Sequence, residues 1–174
     1  MAGYQRCISL ALACLSLCHN SLAESTACTS RANNFAHCIF LCRHFPDRAP
    51  NTTDLQEWKQ FLGAPDPNRR IQSFLKPSEL GRVKAVCTDE GGQQYIDNRW
   101  STNLCISRTP FDFLTVSTTQ DSKTYRIRRE RKKHLILACE NVDNICLPTH
   151  FQPNWENKEP DANAKGCRGG TNYG

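Results

Sequence analysis

The spacing of apolar residues changes character part-way along the chain. In the first half it follows a helical period. FAHCIFLCRHF carries Phe35, Ile39 and Cys42 at i, i+4 and i+7, on one helical face, and Pro46 and Pro50 end that helix. LQEWKQFL sets Leu55, Trp58, Phe61 and Leu62 on one side, with Thr53 and Asp54 placed to cap it and Gly63-Ala64-Pro65-Asp66-Pro67 to stop it. Pro77-Ser78-Glu79-Leu80 begins a third helical segment running towards Val86. Beyond Cys87 the segments are short, β-branched or aromatic, and bounded by turn residues. They predict strands at 103–107, 111–118, 124–127, 135–139 and 147–151. Helices followed by strands predict a small α+β domain spanning residues 34–152. Residues 24–33, small and polar, form a flexible N-terminal arm in this reading. Residues 153–174, rich in Asn, Gly, Lys and Glu, form a loose C-terminal tail with Cys167 as its one pin.

Composition adds a compartment. The 174 residues suit one domain with tails, and eight Phe, four Tyr and three Trp supply enough bulk for a core, which excludes disorder throughout. No apolar stretch reaches the roughly 20 residues of a spanning helix, which excludes a polytopic membrane protein. Eleven cysteines in a chain of this length point to an oxidising environment. The apolar block CISLALACLSLC, followed by Ser21-Leu22-Ala23, has the layout of a secretory signal peptide over residues 1–23, so the expected location is extracellular. Cys7, Cys14 and Cys18 leave with it, and the eight cysteines that remain suit a disulfide framework. Asn51-Thr52-Thr53 is a glycosylation acceptor in a polar stretch flanked by proline.

Charge is concentrated in one place. The formal net charge is +5, and between Lys123 and Lys133 only Glu130 opposes Lys123, Arg126, Arg128, Arg129, Arg131, Lys132 and Lys133. Such a run is either a solvated strand face or a patch for RNA phosphates, heparan-type glycans or anionic membranes. A zinc set of His37, Cys38, Cys42 and His44 is disfavoured, because secreted thiols oxidise and zinc sites prefer loop spacings. Trp58 and Trp100 read as packing residues.

The candidate chemistry lies in His44 at the end of the first helix, the Arg69-Arg70 pair, and His150 on the last strand. Two imidazoles flanking a phosphodiester can divide base and acid work, with a cation stabilising the phosphoryl oxygens. Taken alone, these residues favour a structural reading, with His44 as a helix C-terminal cap and His150 filling half-buried sheet space.

IFLCRHF (39–45), RRIQSFL (69–75), VKAVC (83–87), NLCISRTPFDFLTVS (103–117), KKHLILACEN (132–141) and LPTHF (147–151) resemble, in this order, the pancreatic-type ribonuclease superfamily and its angiogenin-like, fish-type branch. The resemblance implies a disulfide-stapled fold with three helices on a bent antiparallel sheet. It also implies cleavage of RNA after pyrimidines through a 2′,3′-cyclic phosphate, with no metal or organic cofactor; a monomer is expected. By the same resemblance His44 is the general base, His150 the general acid, and Arg69 stands where the family has a phosphate-stabilising lysine. Ser73 stands where a threonine reads the pyrimidine edge, Phe151 where a phenylalanine lines the base site, and Arg43 where a glutamine contacts phosphate; Arg70 is a further substrate contact. The resemblance implies a Cys87–Cys139 bridge and suggests Cys105–Cys146. Two family bridges are absent as pairs, with Asn68 and Thr124 at one and Trp58 and Ser117 at the other. The arginine at 69, planar and longer than lysine, implies modest activity. The alternative is a catalytically weak cationic nucleic-acid- or glycan-binding host-defence protein on the same scaffold.

Overall fold

A computed structural model describes residues 35–65, 70–97, 101–119, 123–142 and 145–167. The signal peptide (1–23), the arm (24–33), Arg69 and Trp100 lie outside the described residues. Helix α1 is Phe35–His44, α2 Leu55–Leu62 and α3 Leu80–Ala85, the last entered through a 3-10 turn at Pro77–Glu79. Strands are β1 Ile71–Phe74, β2 Gly92–Asp97, β3 Ser101–Ser107, β4 Phe111–Thr118, β5 Tyr125–Lys133, β6 Ile136–Val142 and β7 Ile145–Gln152. They form two antiparallel sheets, ordered β1-β4-β5 and β2-β3-β6-β7. Neither sheet is isolated, because β3 leads into β4 and β6 continues β5, and Ser107 N–H bonds the Leu135 carbonyl at the junction, 2.9 Å. The fold is α+β and disulfide-stapled.

Helix α2 forms as its sequence predicts. Asp54 Oδ1 accepts from the N–H groups of Gln56 (2.7 Å) and Glu57 (3.1 Å), satisfying donors that a first turn leaves open. Gly63 closes the helix at φ 78°, a conformation glycine adopts without steric cost, and donates to the Lys59 carbonyl. Trp58 is wholly buried against Phe74, ring centroids 4.6 Å apart, and joins Leu114, Val116 and Tyr125 in a core between α2 and the β1-β4-β5 sheet. Its Nε1–H reaches the Thr52 carbonyl at 2.8 Å.

Helix α1 departs from expectation. Its buried residues are His37 and Phe40, while Phe35, on the face expected from apolar spacing, is 48% exposed. The rings of His37 and His44 turn inward because each finds a carbonyl partner: His37 Nδ1 the Pro148 oxygen, 2.8 Å, and His44 Nδ1 the Ser73 oxygen, 2.7 Å. Counting histidine as polar misplaces the stripe. The larger core, with Phe40, Val83, Leu135 and Leu137 at its centre, packs α1 and α3 onto the four-stranded sheet.

Cys87–Cys139 ties the end of α3 to β6 (Cα–Cα 5.6 Å), and Cys105–Cys167 ties β3 to the C-terminal segment (5.7 Å). The Cys105–Cys146 pairing is therefore wrong. Strand β6 lies between β3 and β7, and Cys105 and Cys146 face β6 four residues apart, at Leu137 and Asn141, so they are separated by more than the roughly 10 Å of two strand spacings, beyond what a disulfide spans. Cys42 and Cys146 are each disulfide-bonded, which removes Cys42 from any zinc set.

The tail also differs from its reading, as far as residue 167. Gly166 bridges to Gln93, Gln94 N–H bonds the Lys165 carbonyl (2.9 Å), and Cys167 is 6% exposed. The segment is a strap along β2, at the edge of the four-stranded sheet. Apolar content did not reveal it, because main-chain pairing and one disulfide hold it.

Candidate functional site

Helix α1 packs against β7 and β1, which brings His44, Ser73 and Phe151 together. The Phe151 ring stacks on His44, centroids 5.2 Å apart and planes 30° from parallel, while its edge meets Phe113 at 5.7 Å. Phe40 closes the other side of His44 at 4.8 Å. A carbonyl can only accept, so the bond to Ser73 O requires the proton on Nδ1 and leaves the Nε2 lone pair open. Enclosure of the ring lowers its pKa to about 4; the Ser73 bond opposes that shift, and the positive charges of Arg43 and His150 add to it. At neutral pH His44 is an uncharged imidazole of fixed tautomer, able to accept a proton at Nε2.

His150 stands opposite Ala138 on β7, exposed, and its charge acts on His44. The two imidazoles are thus within electrostatic reach of each other. Arg70 is exposed just before β1, and its carbonyl accepts from Thr118 N–H at 2.9 Å. Arg43 is exposed at the end of α1, and its carbonyl accepts from Gln72 Nε2 at 2.6 Å. Asn51 is exposed; its carbonyl takes a bond from Arg129 Nη2, 3.0 Å.

Beside Phe151 opens a cleft of about 180 Å³ floored by the β1-β4-β5 sheet. Ser73 and Thr115, both buried, face it from paired positions on β1 and β4, their hydroxyls 3.4 Å apart. Such a pair can present a donor and an acceptor to the edge of a planar heterocycle, with Phe151 beside it. Thr115 was missed from sequence; its register opposite Ser73 is the signal, visible only once β1 is recognised as a strand. Trp155 and His134 were missed as well, Trp155 because it lies in a segment read as loose.

The basic residues fall mostly on β5, the edge strand of its sheet. Arg126, Arg128, Arg129, Arg131 and Lys132 are exposed, and Lys133 is half-buried. The strand runs to Lys133 rather than stopping at residue 127, since an edge strand tolerates outward charge and is protected by it from pairing with other chains. Arg128 pairs with Glu130 at 3.2 Å.

The chain is similar to curated angiogenins. That of Miopithecus talapoin is 28% identical over 131 residues, covering 72% of this chain and 83% of that protein. Angiogenin of Rhinopithecus avunculus is 27% identical over 129 residues, covering 71% and 81%. This similarity supports membership of the pancreatic-type ribonuclease superfamily. It likewise supports a ribonuclease-type function in general terms. No family model matches the chain. No helix among the described residues is long and apolar enough to cross a membrane.

Proposed function

We propose that this chain is a secreted endoribonuclease that cleaves single-stranded RNA 3′ of pyrimidines. The observation that carries the reading is the His44 imidazole, held by the Ser73 carbonyl with Nε2 open and electrostatically coupled to His150. In this mechanism Nε2 of His44 takes the proton of the ribose 2′-hydroxyl, and the 2′-oxygen attacks phosphorus. The bond to the 5′-oxygen breaks, that oxygen receives a proton from His150, and a 2′,3′-cyclic phosphate remains. Arg69 offsets charge on the non-bridging oxygens, with Arg43 and Arg70 as further phosphate contacts. Ser73 reads the pyrimidine edge and Phe151 lines the base. The need for a 2′-hydroxyl restricts cleavage to RNA. No step uses a metal or organic cofactor.

The same reading makes the protein an extracellular monomer, released from residues 1–23 and able to carry a glycan at Asn51. The basic strand favours a second role, binding of polyanions such as long RNA, heparan-type glycans or anionic membranes. On that alternative the fold is a host-defence scaffold with little catalysis. The deciding experiment uses refolded mature chain, with Cys87–Cys139 verified by mass spectrometry, on an oligoribonucleotide with one pyrimidine. Cleavage there, lost in both His44→Ala and His150→Ala, supports the enzyme. Intact substrate with both the native chain and Arg69→Lys, alongside retained heparin binding, puts the binding role first.

A further inference from the structure

The cleft beside Phe151 differs chemically between its outer and inner ends. Ser73, Thr115 and Arg128 lie directly opposite one another across β1, β4 and β5, so their side chains share one face. Each step across the sheet is about 4.8 Å, which puts Arg128 about 10 Å from Ser73. His44 is bonded at the Ser73 end. The row therefore leads away from the imidazoles, from paired hydroxyls to cations. Glu130 partly neutralises Arg128, and Lys133 adds a further positive charge to the wall.

The same cleft is bordered by two exposed large apolar side chains, Ile71 at 45% and Trp155 at 58%. Trp155 sits on an anchored turn. Asn154 Nδ2 bonds the carbonyls of His134 (3.0 Å) and Lys158 (2.9 Å), and its Oδ1 accepts from Lys158 N–H at 2.7 Å. His134 Nδ1 in turn bonds the Ser107 carbonyl at 2.7 Å. An indole held open on a fixed turn beside two cations is a platform for a planar base whose phosphate is close by.

We propose that the cleft is a two-nucleotide site. The base of the nucleotide to be cleaved occupies the Ser73–Thr115–Phe151 end, and its 5′ neighbour stacks on Trp155 with the linking phosphate towards Lys133 and Arg128. The polarity rests on the ribonuclease reading: the 3′ phosphate of the seated nucleotide engages the imidazoles, so the chain leaving the other end of the cleft runs 5′. Trp155 thereby gives the protein a preference for internal over 5′-terminal pyrimidines.

The test uses oligodeoxynucleotides carrying a single ribopyrimidine, placed either at the 5′ end or after one deoxyadenosine. Trp155→Ala should lower kcat/KM on the extended substrate about tenfold, the size of one base–aromatic stack, and change the 5′-terminal substrate little. Replacing the deoxyadenosine base by an abasic site should cost the native protein the same factor, and Trp155→Phe should retain most of the native rate. Equal losses on both substrates, or none, overturn the proposal; an unchanged Tm confirms that the variant is folded. If no preparation cleaves, the ribonuclease reading fails separately, and the site is then read by binding. Trp155 fluorescence, corrected with Trp155→Phe, is titrated with all-deoxy oligomers of one to three nucleotides. Quenching that requires two nucleotides sustains the two-nucleotide site, and quenching complete with one, or absent, refutes it.

Discussion

Lowering the pH should unfold this protein partly through His44. The ring titrates near 4 in the folded state because it is enclosed, against 6.5 for an ordinary histidine. Between those values the unfolded chain binds the proton more readily. The contribution to stability is therefore complete above about pH 6.5, falls as pH drops towards 4, and is gone below it. The difference corresponds to about 3 kcal/mol, a large share of a small domain's stability. His37, also lowered by burial, loses stability in the same direction. Comparison with His44→Asn isolates the first effect, because an asparagine amide can donate to the Ser73 carbonyl without titrating. Urea unfolding of both proteins from pH 8 to pH 4 should give a constant difference above 6.5. Below it the variant should gain steadily, by about 3 kcal/mol at pH 4. Parallel curves across the whole range would refute the assignment of an enclosed, neutral imidazole, whatever the catalytic outcome.

Trp58→Ala should cost about 3–5 kcal/mol, read by thermal or urea unfolding, since it empties the centre of the core under α2. Replacing Cys105 and Cys167 together by serine should lower stability by about 2–4 kcal/mol, because the bridge closes 62 residues of separation; an unchanged Tm would deny the strap a structural role. Neutralising Arg126, Arg128, Arg129 and Arg131 should weaken long-RNA and heparin retention and flatten its salt dependence. Retention identical to the native protein would make the strand a solvated face.

Legibility in the sequence followed the kind of force involved. Helix α2 and strand β4 were readable to the residue, because an Asp cap, a Gly-Pro stop and alternating aromatics act locally. Strand β2, GQQYID, was not, since it carries little apolar alternation and buries Gln93 through its ladder and strap. Strand β1 has only four residues, too few for a period to show. The same division runs through the site. His44, Ser73 and Phe151 were identified from their segments and do meet, whereas Thr115 depends on register and Trp155 on a turn anchored by Asn154.

Residue 73 serves the cleft with two different atoms. Its carbonyl oxygen fixes the proton on His44, and its hydroxyl faces the base cleft beside Thr115. Every amino acid has that carbonyl, and only some have the hydroxyl. On the proposed reading, heredity can therefore alter which base is read without touching the machinery that moves the proton. One position thus holds two separable duties, a main-chain atom that survives substitution and a side-chain atom that does not.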